Sequence, residues 1–369
     1  MNICIDGYAA LNIPGTFIGS YSSDLIRELT SAEIPEVPHV LFQHQGYEDF
    51  LGKKNSWYVP VETNIDRINN DFHDLSNYLK ENNINIYHSL NNGFSTPSEL
   101  SCTYVITIHS LYAVENKTQV NAKYYEKFVK LFPIALERAD KIIAVSHFIK
   151  KELIRLFNLP EEKIEVLYPL ISPIFRPISR EQSRSFIQEN YGIKHDFILY
   201  AGNLHNSKRL HKVLHVFKAL NNRHKDIRLI IAGDVGGSRN QYYKYLLGLC
   251  EELKISNRVI FTGLIAREHM PYFYNRAKCV ISFSEYDGYP LTLAEAASSR
   301  TPVIAALTPS VDEVLNNSAV TCDPNKITEI ADFIGYICSN NLFRDNLINK
   351  MKPPKASTLD DYLKFYNQC

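Results

Sequence analysis

The sequence predicts an α/β protein of two doubly wound domains, each a parallel sheet covered by helices. Three observations predict it. Short apolar runs of the buried-strand type alternate with helix-length amphipathic stretches in both halves of the chain, the pattern of βαβ units. The alternation breaks between Tyr168 and Ser179, where Pro169, Pro173 and Pro177 preclude a long helix. A chain of 369 residues also exceeds one ordinary core, taken at roughly 150 residues per domain.

In the first half, Ile3–Ile5, Val40–Phe42, Ile84–Tyr87, Tyr104–Ile108 and Ile142–Val145 read as strands. Tyr21, Leu25 and Leu29 recur at helical spacing, and further helical patterns lie near Phe72–Leu79 and Tyr124–Arg138. After the turn-like Asn158-Leu-Pro and the proline-bearing connector, the alternation restarts. Phe197–Ala201, Leu229–Ala232, Val259–Thr262, Val280–Phe283 and Val303–Ala305 are strand candidates. Val213–Leu220, Tyr242–Leu253, Ala294–Ala297 and Ile327–Ile337 supply helical patterns. Leu359, Tyr362, Leu363 and Tyr366 predict one last helix. The expected division is 1–172 for the first domain and 173–355 for the second, with 356–369 returning to the first.

Composition narrows the class. At 45% hydrophobic and 22% charged residues the chain is neither disordered nor collagen-like. Lys plus Arg equals Asp plus Glu, 40 against 40, so no global charge favours nucleic acid. Seven scattered cysteines contain no C-x-x-C and fit reduced thiols, with Cys4 and Cys279 as buried ones. No secretory signal and no apolar run of about 18 residues is visible. A soluble, cytoplasmic protein is expected. Lys150 and Lys151 fall on a predicted solvated face, and basic residues in this domain leave peripheral association with an anionic membrane surface open.

The segment richest in chemistry is Phe283-Ser-Glu-Tyr-Asp-Gly-Tyr-Pro-Leu-Thr-Leu-Ala-Glu-Ala. A strand ends near Phe283, and Pro290 suits a first helical position. The turn at Asp287 and Gly288 would turn its amides and a helix N-terminus toward sugar hydroxyls or a phosphate. Asp287 and Glu295 could grip two sugars of one ligand; the same spacing also suits an N-cap Asp followed by a solvated helix Glu. In Tyr200-Ala-Gly-Asn-Leu-His-Asn-Ser-Lys-Arg-Leu, a strand runs into Gly202 and Asn203. Lys208 and Arg209 follow at a helix start, where cations fit the dipole poorly unless an anion is present; two solvated surface cations are the alternative. Gly15 and Gly19 lie in a glycine-bearing loop or plain turn after the first strand. His109 ends a buried strand, as a catalytic group or as a satisfied core histidine. Ser146 reads as a helix N-cap.

These motifs, in this order, resemble the retaining GT-B glycosyltransferases of family 4. The likeness runs from Ile3 to the final helix and includes Thr301-Pro-Val-Ile-Ala and Ser310-Val-Asp-Glu-Val. Asp287 stands where the family usually has Glu, Asn203 where many members have Arg, Ser110 where Asp is common, and Arg300 where Gly is frequent. The resemblance implies two Rossmann-like domains facing a central cleft, with the last helix crossing back to the first. It implies that Glu295 holds the ribose of a nucleotide. Asp287, Gly288, Tyr289, Pro290 and Leu291 would hold the transferred sugar and its phosphate. Gly202, Asn203, Lys208 and Arg209, with the Gly15–Gly19 loop, would meet the donor diphosphate, and His109 would lie beside the sugar. The catalytic set would be His109, Asp287 and Lys208. No metal or other cofactor is expected.

The implied function is transfer of a sugar, with retention, from a UDP- or GDP-sugar to a glycan or lipid-linked acceptor in surface polysaccharide or glycoconjugate synthesis. An epimerase acting on the same donor and a non-catalytic nucleotide- or glycan-binding partner are the alternatives. Donor base, acceptor, linkage and oligomeric state are encoded in none of these motifs.

Overall fold

The computed structural model describes residues 1–32, 38–42, 57–60 and 72–369. The chain divides into two compact units, Met1–Leu170 with Ala356–Cys369, and Ile171–Lys355.

The first unit holds a seven-stranded sheet of β1 (Ile3–Asp6), β2 (His39–Phe42), β3 (Trp57–Pro60), β4 (Ile86–Ser89), β5 (Thr103–Ile108), β6 (Lys141–Ala144) and β7 (Ile164–Val166). Their order is β3-β2-β1-β4-β5-β6-β7, and each pairing is parallel. The second unit holds β8 (Phe197–Ala201), β9 (Arg228–Ala232), β10 (Val259–Gly263), β11 (Val280–Ser282), β12 (Val303–Ala306) and β13 (Ala319–Cys322). Their order is β10-β9-β8-β11-β12-β13, again parallel throughout. In each sheet the strand order reverses once, between β1 and β4 and between β8 and β11. Ligands of such sheets bind beyond the carboxyl ends at this reversal.

Continuous apolar runs form the central strands because helices cover both faces of the sheet. β1, β4, β8 and β12 are buried along their whole length. Against the second sheet, the helix Leu210–Asn221 buries Leu210, Val213, Leu214, Phe217 and Leu220, a stripe at helical spacing. The final helix, Leu359–Tyr366, starts at a Thr358–Asp361 capping box. Its Tyr362 hydroxyl donates to the Tyr168 carbonyl at 3.1 Å, and Tyr366 lies 2.8 Å from His88 Nδ1.

Several expectations shift. The fourth strand starts at Ile86, not Ile84, since Ile84 N–H closes the preceding helix on Leu79. β3, β7 and β13 escape the periodicity because they are short edge strands. The helix Arg180–Tyr191, capped by Ser179, is strongly polar and buries only Ser183 and Ile187. Lys150 is not on a solvated face: its ammonium donates to the Ile164 carbonyl at 2.9 Å and pairs with Glu161. Ser146 does cap the helix His147–Phe157. All seven cysteines are free, with Cys4 and Cys279 buried.

Candidate functional site

Two loops meet at the reversal of the second sheet. The first leaves β8 through Gly202, whose φ of 144° favours glycine. Tyr200 folds back so that its hydroxyl donates to the Asn203 carbonyl at 2.8 Å. A short turn at Asn206–Lys208 follows, and Arg209, at φ 50°, starts the helix Leu210–Asn221 from a left-handed conformation. Such a backbone is uncommon for a residue with a Cβ.

The second loop leaves β11 and docks on the first, with Glu285 N–H donating to the Ser207 carbonyl at 2.9 Å. Lys208 Nζ donates to Ser284 Oγ at 3.1 Å and forms an ion pair with Asp287. Arg209 pairs with Glu285. The expectation of an N-cap role for Asp287 therefore gives way to a lysine partner. Nor are the two cations simply solvated, since each is held by a carboxylate from the neighbouring loop. Burial, and then the charge of Asp287, push the Tyr200 phenol well above its usual range.

Pro290 is not the first helical residue. At φ −81° and ψ 65° it caps the helix Leu291–Ser298, with Leu291 N–H donating to the Tyr289 carbonyl at 2.9 Å. This is an inverse γ-turn. Pro290 has no N–H to offer, and that of Leu291 is engaged within this turn. Tyr289 is buried and donates to the Lys355 carbonyl at 2.7 Å. Gly288 is buried beside it.

Glu295 lies in the second turn of that helix and is only 2% exposed, so it is no solvated helix Glu. Arg267 Nη1 donates to its Oε1 at 2.8 Å and the Tyr274 hydroxyl to its Oε2 at 2.9 Å. Arg267 also lies over the Phe175 ring, 4.8 Å from its centroid. Burial, followed by the Glu295 charge, holds the Tyr274 phenol well above its usual value. These partners hold the Glu295 carboxylate in a fixed orientation.

Gly15, Gly19 and His109 belong to the first unit. Gly15 takes φ 72° in a turn. Gly19 lies inside the helix Phe17–Ser31, not in a turn, and its N–H donates to the capping Thr16 hydroxyl at 3.0 Å. A Cβ there would collide with the Ile13 carbonyl, which accounts for the glycine by packing. His109 is fully buried at the end of β5, edge-on to Phe17 and Tyr21. Its Nε2 lies 2.6 Å from the Leu90 carbonyl, so Nε2 carries the proton and Nδ1 is left as an acceptor. Among the described residues Nδ1 has no partner. Burial, offset in part by the Leu90 bond, lowers the imidazole to about 4, so the ring is neutral at neutral pH.

A family model described as glycosyl transferases group 1 matches residues 183–352, and one described as glycosyltransferase family 4 matches residues 23–173. The two models together span most of the chain, which is similar to the group 1 glycosyltransferases over its second half. It is 27% identical over 263 residues to an uncharacterized glycosyltransferase of Methanocaldococcus jannaschii, covering 68% of this chain and 63% of that one. It is 26% identical to the O-antigen chain mannosyltransferase B of Escherichia coli, covering 70% and 67%. The chain thus spans about two thirds or less of the length of the curated relatives it matches. Among solved structures, Anabaena HepE in complex with UDP and glucose superposes with a TM-score of 0.71 at 14% identity, covering 94% of this chain and 92% of that one. The fold is of the GT-B class.

Within this glycosyltransferase frame, sequence reasoning missed Arg267, Tyr274, Ser284 and Glu285 as partners of the site residues. Glu285 could have been found, since it stands two residues before Asp287 in the same motif. Arg267 and Tyr274 carry no local signal; only the packing of neighbouring elements brings them to Glu295.

Proposed function

We propose that the protein is a retaining hexosyltransferase that uses a UDP- or GDP-sugar and a glycan or lipid-linked acceptor. The observation that carries the reading is the pair of cations, Lys208 and Arg209, standing beyond β8 at the strand-order reversal. Each is balanced by a carboxylate from the loop beyond β11.

A departing nucleoside diphosphate gains negative charge in the transition state. Fixed cations that meet this charge are the largest contribution such a site makes. With no ligand, Asp287 and Ser284 hold Lys208 in place. A diphosphate would compete for its ammonium and release Asp287 to accept from hydroxyls of the sugar. Glu295, oriented by Arg267 and Tyr274, would accept from the ribose hydroxyls. In the first unit, His109 would present Nδ1 as an acceptor to a sugar hydroxyl. Its neutral ring suits positioning better than acid catalysis at neutral pH. The carboxylates position the donor and do not act as a glycosidase pair. No metal enters this scheme. The UDP held by HepE is of the same ligand class.

The test is product analysis with labelled UDP- and GDP-sugars, alone and with lipid-linked glycans. The expected result is an acceptor-bound sugar of unchanged anomeric configuration, with release of the nucleoside diphosphate. An altered nucleotide sugar formed from the donor alone would replace the reading with an epimerase. Binding without turnover across the acceptor panel would replace it with a carrier or partner protein.

A further inference from the structure

At the amino ends of β8 and β11, away from the strand-order reversal, four cations gather in the second unit. Arg180 opens the helix Arg180–Tyr191, and Arg276 closes the helix Met270–Arg276. Lys278 leads into β11, its N–H donating to the Phe197 carbonyl at 2.8 Å. Arg344 lies in the helix Asn341–Lys350. Three of the four are nearly inaccessible: Arg276, Arg344 and Lys278 are 7%, 8% and 9% exposed.

The acids nearby do not balance them. Asp196 pairs with Arg276 and, at 2.9 Å, with Lys278. Asp345 is exposed. Among the described residues, four cations against two carboxylates leave a surplus of two positive charges. Arg180 Nη2 reaches the Arg276 carbonyl alone among the described residues, at 3.4 Å. Arg180 Nη1 and Arg344 Nε are buried with no hydrogen-bond partner among the described residues. A guanidinium does not shed its charge to escape this, and an uncompensated buried charge is strongly destabilising. Burial, then the charges of Arg344 and Arg276, also pull the Arg180 guanidinium below its usual value. A fixed surplus with unused, fork-shaped donors suits a tetrahedral oxyanion, which guanidinium groups bind through parallel hydrogen bonds.

We propose that Arg180, Arg344, Arg276 and Lys278 form a binding site for a phosphate-type dianion, either free phosphate or a terminal phosphate group. The site is separate from Lys208 and does not rest on the proposed transfer reaction.

The test follows thermal unfolding of the full chain as sodium phosphate is titrated against sodium chloride at equal ionic strength. Wild type, Arg344→Gln, Arg180→Gln and Lys208→Gln are compared. Phosphate is expected to raise the midpoint of wild type and Lys208→Gln by about 5 °C at saturation, and that of both arginine variants far less. Without phosphate, Arg344→Gln is expected to be at least as stable as wild type, because it removes a buried charge that lacks a partner. Glycerol 3-phosphate, run in parallel, separates the sources: an equal shift assigns any terminal phosphate, and a shift with phosphate alone assigns the free ion. A wild type that responds no more to phosphate than to chloride would overturn the proposal. So would an Arg344→Gln variant that responds as fully as wild type.

Discussion

Lys208 and Asp287, 79 residues apart in the chain, form an ion pair across the strand-order reversal of the second sheet. If the pair holds the lysine ready for a diphosphate, Lys208→Met should lower kcat/KM for the nucleotide sugar by about 10²–10³-fold, the usual cost of losing one donor to a developing oxyanion. The pair is partly solvated, so the unfolding midpoint should change little. Transfer by Lys208→Met at the wild-type rate would remove the lysine from the reaction.

Glu295 differs in that its two donors are fixed beneath a buried carboxylate. Glu295→Ala would leave Arg267 and the buried Tyr274 hydroxyl without their acceptor, at a cost of about 3 kcal/mol of stability. Glu295→Gln keeps the shape and one acceptor oxygen. It should unfold close to wild type yet bind the nucleotide at least about tenfold more weakly. Calorimetric titration with UDP and GDP on the Gln variant separates the two effects, and unweakened binding would contradict a ribose role.

Two buried histidines predict an acid-sensitive fold. Burial, and for His88 also the neighbouring His109, lowers their imidazoles to about 3 and about 4. An unfolded histidine takes its proton near pH ~6.5. Between about pH 6.5 and 4 the unfolded chain therefore binds more protons than the folded one, so stability falls as pH falls. The slope is about 1.4 kcal/mol per pH unit for each histidine. Asp6 opposes this, since burial raises its carboxyl against the bonds from Tyr8 and Ser95. Unfolding midpoints of wild type and His88→Gln across this range should show a flatter slope in the variant. Parallel curves would place the sensitivity elsewhere.

Arg300 occupies a left-handed position at φ 59°, just past the helix Leu291–Ser298, and donates to the Met351 carbonyl at 3.0 Å. Arg300→Gly relieves the backbone but loses that bond, so its net effect should be under about 1 kcal/mol. Arg300→Val loses the bond and adds a β-branched side chain where it fits worst, at about 2 kcal/mol or more. Denaturant titration of the two variants should show this order, and a stable Val variant would contradict it.

The central strands were legible because both faces are buried, which makes each an unbroken apolar run; Phe197–Ala201 is predicted residue for residue. Edge strands such as Ile164–Val166 were not, because three residues with an exposed Glu165 carry no period. The final helix was legible from its spacing alone. Order and spacing single out Asp287, Glu295, Lys208 and Arg209 as candidates, but they carry no sign of the partners that set their state. Arg267 reaches Glu295 from 28 residues away, and the Lys208 pairing depends on how two loops leave adjacent strands. Gly19 shows another limit: it falls in the first turn of a helix, where the close Ile13 carbonyl requires a glycine, a contact that spacing does not reveal.

The most direct test of the donor reading is thermal unfolding of wild type and Glu295→Gln with UDP, GDP and ADP and their sugars. A ligand at about 100 times its dissociation constant stabilises by about 2.7 kcal/mol, a readily measured shift. The account predicts that the UDP or GDP series stabilises wild type and that the shift shrinks in the variant. Equal shifts in the two proteins, or no shift with any nucleotide, would contradict it.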